Sequence, residues 1–211
     1  MKDRIKTLLL ADQARFAAKG LFGNPGDSFS MRIPGLSEFL LIRNTDEKPE
    51  HVVMNDPGDG AAGLHARLYR ARPDAGALLI GTTPWCTALA GLDETIPVLF
   101  DEQARHLGKT GAAVQKGDFS GLENAIADGA NIAIIGEQRL CLGVTPERIV
   151  FNADLFEKCA KAFVIAHSSG RTVRRIPWLV RRIAAGRMKK DQIRAARTLA
   201  AGRIPEGMNA Y

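Results

Sequence analysis

Four histidines, three cysteines and one acid–amide–arginine run carry most of the chemical potential of this 211-residue chain. His51, His65, His106 and His167 show neither H-x-H nor H-x-x-x-H spacing, so no two imidazoles can chelate a metal from one strand or one helical turn. Cys86, Cys141 and Cys159 are odd in number, far apart and set among apolar residues. They read as buried, reduced thiols rather than a disulfide or zinc framework. No histidine stands near Cys86 in sequence to activate its thiol. His65 falls on the apolar side of its helix beside Leu64 and Leu68, the place of a hydrogen-bonded packing residue. Glu137, followed by Gln138 and Arg139, is the candidate catalytic group, because a carboxylate just past a buried strand can move a proton on a bound substrate. A local ion pair or turn group is the simpler reading, and a substrate-contacting role comes second to it. Gly58-Asp59-Gly60-Ala61-Ala62-Gly63 spells G-x-G-x-x-G, but Asn55-Asp56-Pro57 separates it from the strand before. Asp59 would face a pyrophosphate, and the next strand ends in Ile80-Gly81-Thr82 without an acid. The string therefore predicts a loop at a helix start, not a dinucleotide site.

Those residues depend on the elements that carry them. Apolar spacing predicts a helix over 3–19 with Gly20 as its stop, a strand over 28–33, a turn at Pro34-Gly35, and strands over 38–43 and 51–54. A helix over 61–71 closes at Arg72-Pro73-Asp74, a buried strand covers 75–80, and a short helix runs from Pro84 through Leu89. Further strands are expected at 96–100, 112–115 and 131–135, with Leu140-Cys141-Leu142 beside the last and a helix over 120–127 between them. Thr145-Pro146-Glu147 has the form of a helix start, Thr as cap and Pro in the first turn. A longer helix is expected over 154–167, and two amphipathic helices over 177–185 and 189–201.

Composition excludes several classes. With 45% hydrophobic and 25% charged residues the chain is neither disordered nor fibrous, and its 21 Gly and 10 Pro follow no period. The longest apolar runs, 75–80 and 131–135, are strand-sized, far short of the roughly 20 residues that span a bilayer. The Met-Lys-Asp-Arg-Ile-Lys start has no cleavable apolar region, so a cytoplasmic location and no membrane are expected. Charge is uneven. Residues 171–203 hold eleven Lys or Arg against Asp191 alone, a segment of +10 that leaves −4 for the rest of a chain whose net charge is +6. This shift sets a boundary near Ser168-Ser169-Gly170, giving a body over 1–168 and a basic helical extension over 169–211. The cations Arg174, Arg175, Arg181, Arg182, Arg187, Lys189, Lys190, Arg194 and Arg197 could meet nucleic acid or an acidic partner. Trp178 is the only aromatic among them, so base stacking has little support; a solvated helical face, or a face packed on the acidic body of a neighbouring copy, explains the charge equally well.

His65-Ala66-Arg67-Leu68-Tyr69-Arg70-Ala71-Arg72-Pro73-Asp74, the strand Ala75–Ile80 and Gly81-Thr82-Thr83-Pro84-Trp85-Cys86-Thr87-Ala88-Leu89 form a specific block. It resembles the class II aldolase and adducin superfamily, in which a helix with His and Tyr leads through Arg-Pro-Asp to a buried strand ending in a His-x-His signature. Gly26–Arg32 and Phe39–Arg43 resemble the family's strands upstream, and Ala130–Leu142 with the helix near Pro146 its last elements; the likeness runs over about residues 5–167. It implies a three-layer α/β/α fold with a central, largely antiparallel sheet. It also implies a self-associating protein, a tetramer with pockets between subunits.

The same resemblance implies a metal held by three histidines with an acidic helper. Here the two strand-end histidines fall on Ile80 and Thr82, the third around Glu137 or Gln138, and the acid on Ala61. No metal and no other cofactor are therefore expected, and the family zinc site is read as lost. The remaining candidate ligand-binding positions are Ser28, Arg43, Thr45, Asp59, Thr82, Thr83 and Gln138, which with Glu137 should converge on one cleft. Two functions are compatible with this pattern. The first is a non-catalytic relative that keeps the fold for oligomerisation or for binding a small carbonyl or sugar-phosphate ligand. The second is a divergent lyase or epimerase acting on a small sugar phosphate or keto acid, with Glu137 as base and Arg43 holding an anion.

Overall fold

Alternation in the strands sorts the core into two layers. The computed structural model describes residues 1–92, 94–170, 173 and 175–206. Its elements are α1 (Lys2–Ala18), β1 (Ser28–Arg32), β2 (Glu38–Arg43), β3 (Glu50–Val53), α2 (Gly60–Ala71), β4 (Ala77–Thr82), α3 (Pro84–Ala90), α4 (Phe119–Ala127), β5 (Ile132–Ile135), β6 (Gln138–Gly143), α5 (Pro146–Ser168) and α6 (Trp178–Ala200), with a π-helical turn at Gln103–Leu107. The strands form one six-stranded sheet in the order β3-β2-β1-β4-β6-β5, and every neighbouring pair is antiparallel. That topology excludes the parallel sheet a dinucleotide-binding motif at 58–63 would require.

Phe29, Met31, Leu40, Ile42, Leu79, Ile134 and Cys141 face a layer built by α1, α3 and α5, whose Phe16, Leu89 and Phe156 join the same cluster. Phe39, Leu41, Leu78, Ile80, Ile135 and Leu140 face the other way, onto Ala66 and Leu68 of α2 and Ile126 of α4. Helices thus cover both faces of an antiparallel sheet, as expected for the α/β/α reading. The buried strands read as nearly continuous apolar runs because water reaches neither face.

Four expectations are corrected. Ile96–Phe100 is not a strand: the Gln103 side chain accepts the Leu99 N–H at 2.9 Å and donates to the Pro97 carbonyl at 3.2 Å, taking the backbone groups a ladder would need. Residues 112–115 form a single parallel bridge, Val114 to Ile135, rather than a strand. The helix beginning at Thr145 and the one expected over 154–167 are one element, α5, with Thr145 as its cap accepting from the Arg148 N–H. The two tail helices are likewise one, α6, continuous through Gly186. α6 packs against the body: Asp191 pairs with Arg105, Gln192 donates to the Gly129 carbonyl at 2.7 Å, and Met188 and Leu199 are buried. Arg174 lies outside the described residues. Among the described residues no helix is long and apolar enough to cross a membrane.

Candidate functional site

β1 and α2 build a buried polar cluster. Because Phe29 and Met31 point to one side of β1, Ser28 and Ser30 must point to the other, where α2 presents His65 and Tyr69. The Ser28 hydroxyl meets His65 Nε2 at 2.9 Å and the Ser30 hydroxyl meets Nδ1 at 2.7 Å. Ser30 also meets the Tyr69 hydroxyl at 2.9 Å. Arg32, below them, donates from Nη2 to the Tyr69 carbonyl at 2.6 Å and sits 4.7 Å over its ring. Burial, helped by the positive charge of Arg43, pushes His65 down to about 3. The ring is therefore neutral at neutral pH, one nitrogen donating to a serine and the other accepting. Burial moves the Tyr69 hydroxyl the opposite way, well above its ordinary value. The expected packing role of His65 matches this geometry.

Beside this cluster a second buried group fastens the sheet end. Asp27 is fully buried and accepts the N–H groups of Gly23 and Asn24 at 2.9 Å each and of Thr82 at 3.1 Å. The Asn24 amide returns a bond to the Thr82 carbonyl at 3.1 Å. The 23–27 loop is thereby tied to the end of β4. A Cβ on Gly26 would lie 3.4 Å from Gln138 Nε2, so that loop also runs against the start of β6.

The strand register brings several of the expected site residues side by side. Ser28 lies opposite both Arg43 and Ile80, and Thr82 lies opposite Gln138, with exposed Glu137 in the turn just before it. Others go elsewhere. Thr83 is buried and donates its hydroxyl to Glu157 of α5, which draws it to the opposite face of the sheet from His65. Thr45 is exposed beyond the end of β2, and Asp59 is exposed ahead of α2 with no capping bond from its side chain. Arg43 is engaged: its guanidinium meets Asp46 at 3.1 Å and Glu50 at 2.7 Å.

The glycine string at 58–63 has a steric origin. Gly58 and Gly60 adopt positive φ, and a Cβ on Gly63 would come within 2.7 Å of the Gly58 carbonyl oxygen. The loop folds onto its own helix, which only glycine permits.

A zinc ion at the end of β4 would need imidazole, thiolate or carboxylate donors. The residues at that place are an aliphatic chain at Ile80, a hydroxyl at Thr82 and an amide at Gln138, with a single carboxylate, the exposed Glu137, in the turn beside them. The neighbouring imidazole, His65, has both nitrogens occupied by serine hydroxyls, and the Asp27 carboxylate is held by three N–H groups. This donor set does not fit the metal. The thiols are not reactive either: burial pushes Cys86 up to about 12, Cys141 to about 11 and Cys159 to about 12, leaving no thiolate nucleophile.

The sequence alone gives Arg139 no role beyond its place beside Glu137 and Gln138. It faces the α5 side, fully buried beside the Cys141 thiol, with Nη2 donating to the Leu21 carbonyl at 3.1 Å and, among the described residues, no oxygen acceptor at Nε or Nη1. The apolar alternation of β6, Leu140 against Cys141, is the signal that places it inward.

An antiparallel sheet between two helical layers, with its polar strand ends gathered where β1, β4 and β6 meet, defines an α/β protein of the class II aldolase type. The model of the Class II Aldolase and Adducin N-terminal domain matches residues 36–164; the chain belongs to this family. Solved structures agree in fold. An L-fuculose 1-phosphate aldolase superimposes with a TM-score of 0.71 at 18% identity, covering 88% of this chain and 96% of the other. YgbL from Klebsiella pneumoniae gives 0.70 at 15% identity, covering 87% and 99%. The L-fuculose-1-phosphate aldolase of Thermus thermophilus gives 0.63 at 18%, covering 82% and 100%. No curated protein matches the chain.

Proposed function

We propose that this chain is a metal-free, non-catalytic member of the class II aldolase family that retains the fold as a self-associating scaffold with a small-ligand cleft. The observation that carries the reading is the donor set at the end of β4: Ile80 and Thr82, with Glu137 or Gln138 third and Ala61 for the acid, stand in the metal positions that the resemblance implies. Without a Lewis acid, the negative charge that develops on a carbonyl oxygen during carbon–carbon cleavage loses several kcal/mol of stabilisation, which is several decades of rate. The lyase or epimerase alternative asks Arg43 to hold an anion, but Asp46 and Glu50 already neutralise it. A cleft whose one cation faces two carboxylates, with a hydroxyl and an amide at its edge, suits an uncharged polyol or carbonyl compound better than a phosphate. Self-association is supported by the apolar side chains that α6 leaves in solvent, Trp178, Leu179, Val180 and Ile183. Metal analysis of the purified protein, paired with aldol-cleavage assays on sugar phosphates, tests the reading. Less than a tenth of a zinc equivalent per chain, by our order-of-magnitude expectation from the donor set, and no turnover are expected; one tightly held zinc per chain overturns it. A thermal-shift screen of polyols, sugar phosphates and keto acids identifies the ligand, since one at 100 times its Kd adds about 2.7 kcal/mol of stability.

A further inference from the structure

We propose that the cleft between the irregular 95–110 segment and the first half of α6 is a binding site for a small oxyanion with an apolar body, a carboxylate or a phosphate on an alkyl chain. The cleft encloses about 370 Å³, within the ordinary range of small-molecule sites. It lies by the start of β5, where the Asn131 N–H reaches the Leu107 carbonyl at 2.9 Å. Gln138 pairs with the other end of that strand, so this place is separate from the β4 site and its occupancy does not depend on how that site is read.

Three observations converge on the ligand class. The first is apolar: Ile96, Val98, Ala185 and Met188 line the walls, and the Ile176 N–H bonded to the Val98 carbonyl at 3.2 Å closes one side. The second is charge. Lys109, Arg175, Arg181 and Lys189 line the same cleft against Asp128 alone, and among the described residues none of these cations belongs to an ion pair. The third is unmet hydrogen bonding. Thr110 is only 1% exposed and, among the described residues, its hydroxyl has no partner, nor has Arg181 Nε, buried beside the same cleft. Buried donors without acceptors carry the full penalty of their lost hydration, and an oxyanion placed between them satisfies both. Arg181 provides a planar fork suited to either carboxylate or phosphate, while the alkyl chain covers the apolar wall. A bare phosphate would leave that wall wet, and a neutral alcohol would leave the cations unmatched.

Calorimetric titration of the full chain with hexanoate, octanoate and octyl phosphate, with octan-1-ol and inorganic phosphate as controls, tests this. Octanoate or octyl phosphate should bind once per chain, and the tighter of the two identifies the head group. Each added methylene should tighten binding about four-fold, and neither control should bind at comparable concentration. R181Q should weaken the anion at least tenfold, by the usual strength of a charge-assisted pair. T110V separates binding from folding: replacing an unpartnered hydroxyl by its apolar isostere should raise the melting temperature of the ligand-free protein and yet weaken octanoate several-fold. A185W, which fills the cleft, should abolish binding. The proposal is overturned if octan-1-ol binds as tightly as octanoate, if R181Q or A185W leaves octanoate affinity unchanged, or if no alkyl anion binds up to millimolar concentration.

Discussion

His65 and Asp12 bend the pH dependence of stability in opposite directions. His65 is pushed down to about 3 by burial, and His106 to about 4 by burial and the neighbouring Arg148 and Arg105. The unfolded chain binds protons at both below about pH 6.5, where the native rings refuse them. Their stabilisation is present above pH 6.5 and is lost as the pH falls toward 4. Asp12 is pushed up to about 6 by burial and then by the nearby Glu147. Its native carboxyl holds a proton between about pH 4 and 6 that the unfolded chain releases, so its contribution is present below that window and lost as the pH rises through it. Urea midpoints should therefore fall between pH 6.5 and 5 with a slope set by about two protons offset by one. D12N should raise the midpoint at pH 7.5 and steepen the acid loss; an unchanged acid limb in D12N would refute the assignment. Arg139 offers a second residue-level test. A buried guanidinium that meets only the Leu21 carbonyl and the weak acceptor of the Cys141 thiol is expensive to desolvate, and those contacts offset little of that. R139M should leave the fold intact and increase stability by about 1–2 kcal/mol in urea titration. A loss of several kcal/mol would mean that the charge is held by a partner, such as a bound anion.

α6 shows where local signals and tertiary packing part. Glycine within a helical stretch, followed by a run of cations, reads as a break, and sequence spacing divides the tail at Gly186. In the fold the buried positions Ala184, Met188, Gln192, Ala195 and Leu199 line one side of a single helix against the body, and that contact carries the helix through the glycine. A Cβ at Gly186 would meet nothing within 4 Å. G186A should therefore stabilise the protein by about 0.5–1 kcal/mol, the ordinary difference between glycine and alanine inside a helix, and a destabilised variant would show the helix to be kinked there. The strands β1, β2 and β4 are legible in sequence because alternation and buried apolar runs are local properties. The first residues of β6 are not, because Gln138 and Arg139 look like turn residues and only cross-strand pairing with Thr82 and Gly81 reveals them as ladder. The segment 96–100 has strand composition, yet a side chain three residues beyond it, Gln103, takes over its hydrogen bonds. At the site, the strand-end positions Ser28 and Arg43 can be placed from the sequence, whereas Thr82 and Gln138 are joined only by the ladder between β4 and β6. The clamp on His65 cannot be placed that way, since it joins Ser28 and Ser30 to a residue 37 and 35 positions away. Thr83 reads as a cleft residue because adjacent hydroxyls look alike in sequence, whereas the alternation after β4 sends it to Glu157.

For the whole molecule, the consequential feature is how α6 divides its surface. Its inner side seals the body, while Trp178, Leu179 and Ile183 stand 64%, 54% and 52% exposed. Leu179 and Ile183 are four residues apart and so share one strip of the helix surface. Single exposed apolar residues need no explanation, but several within two turns, amid the densest positive charge of the chain, mark a surface that another body covers. On the proposed self-association, the net −4 of the remaining chain would supply complementary charge in a second copy, joining apolar contact to electrostatic steering. Sedimentation at micromolar concentration should give an assembly at least twice the chain mass, with L179E/I183E reducing it to monomer. Raising salt to about 1 M shortens the screening length to about 3 Å; it should slow assembly more than it weakens it, because apolar burial does not depend on ionic strength. Both substitutions lie on solvent-facing positions, so the circular dichroism and urea midpoint of the double variant should match those of the unaltered monomer. If the unaltered protein is monomeric across that range, the exposed strip of α6 has another occupant and self-association is refuted. If the double variant remains assembled, copies meet elsewhere, and the acidic surface of the body becomes the place to mutate next.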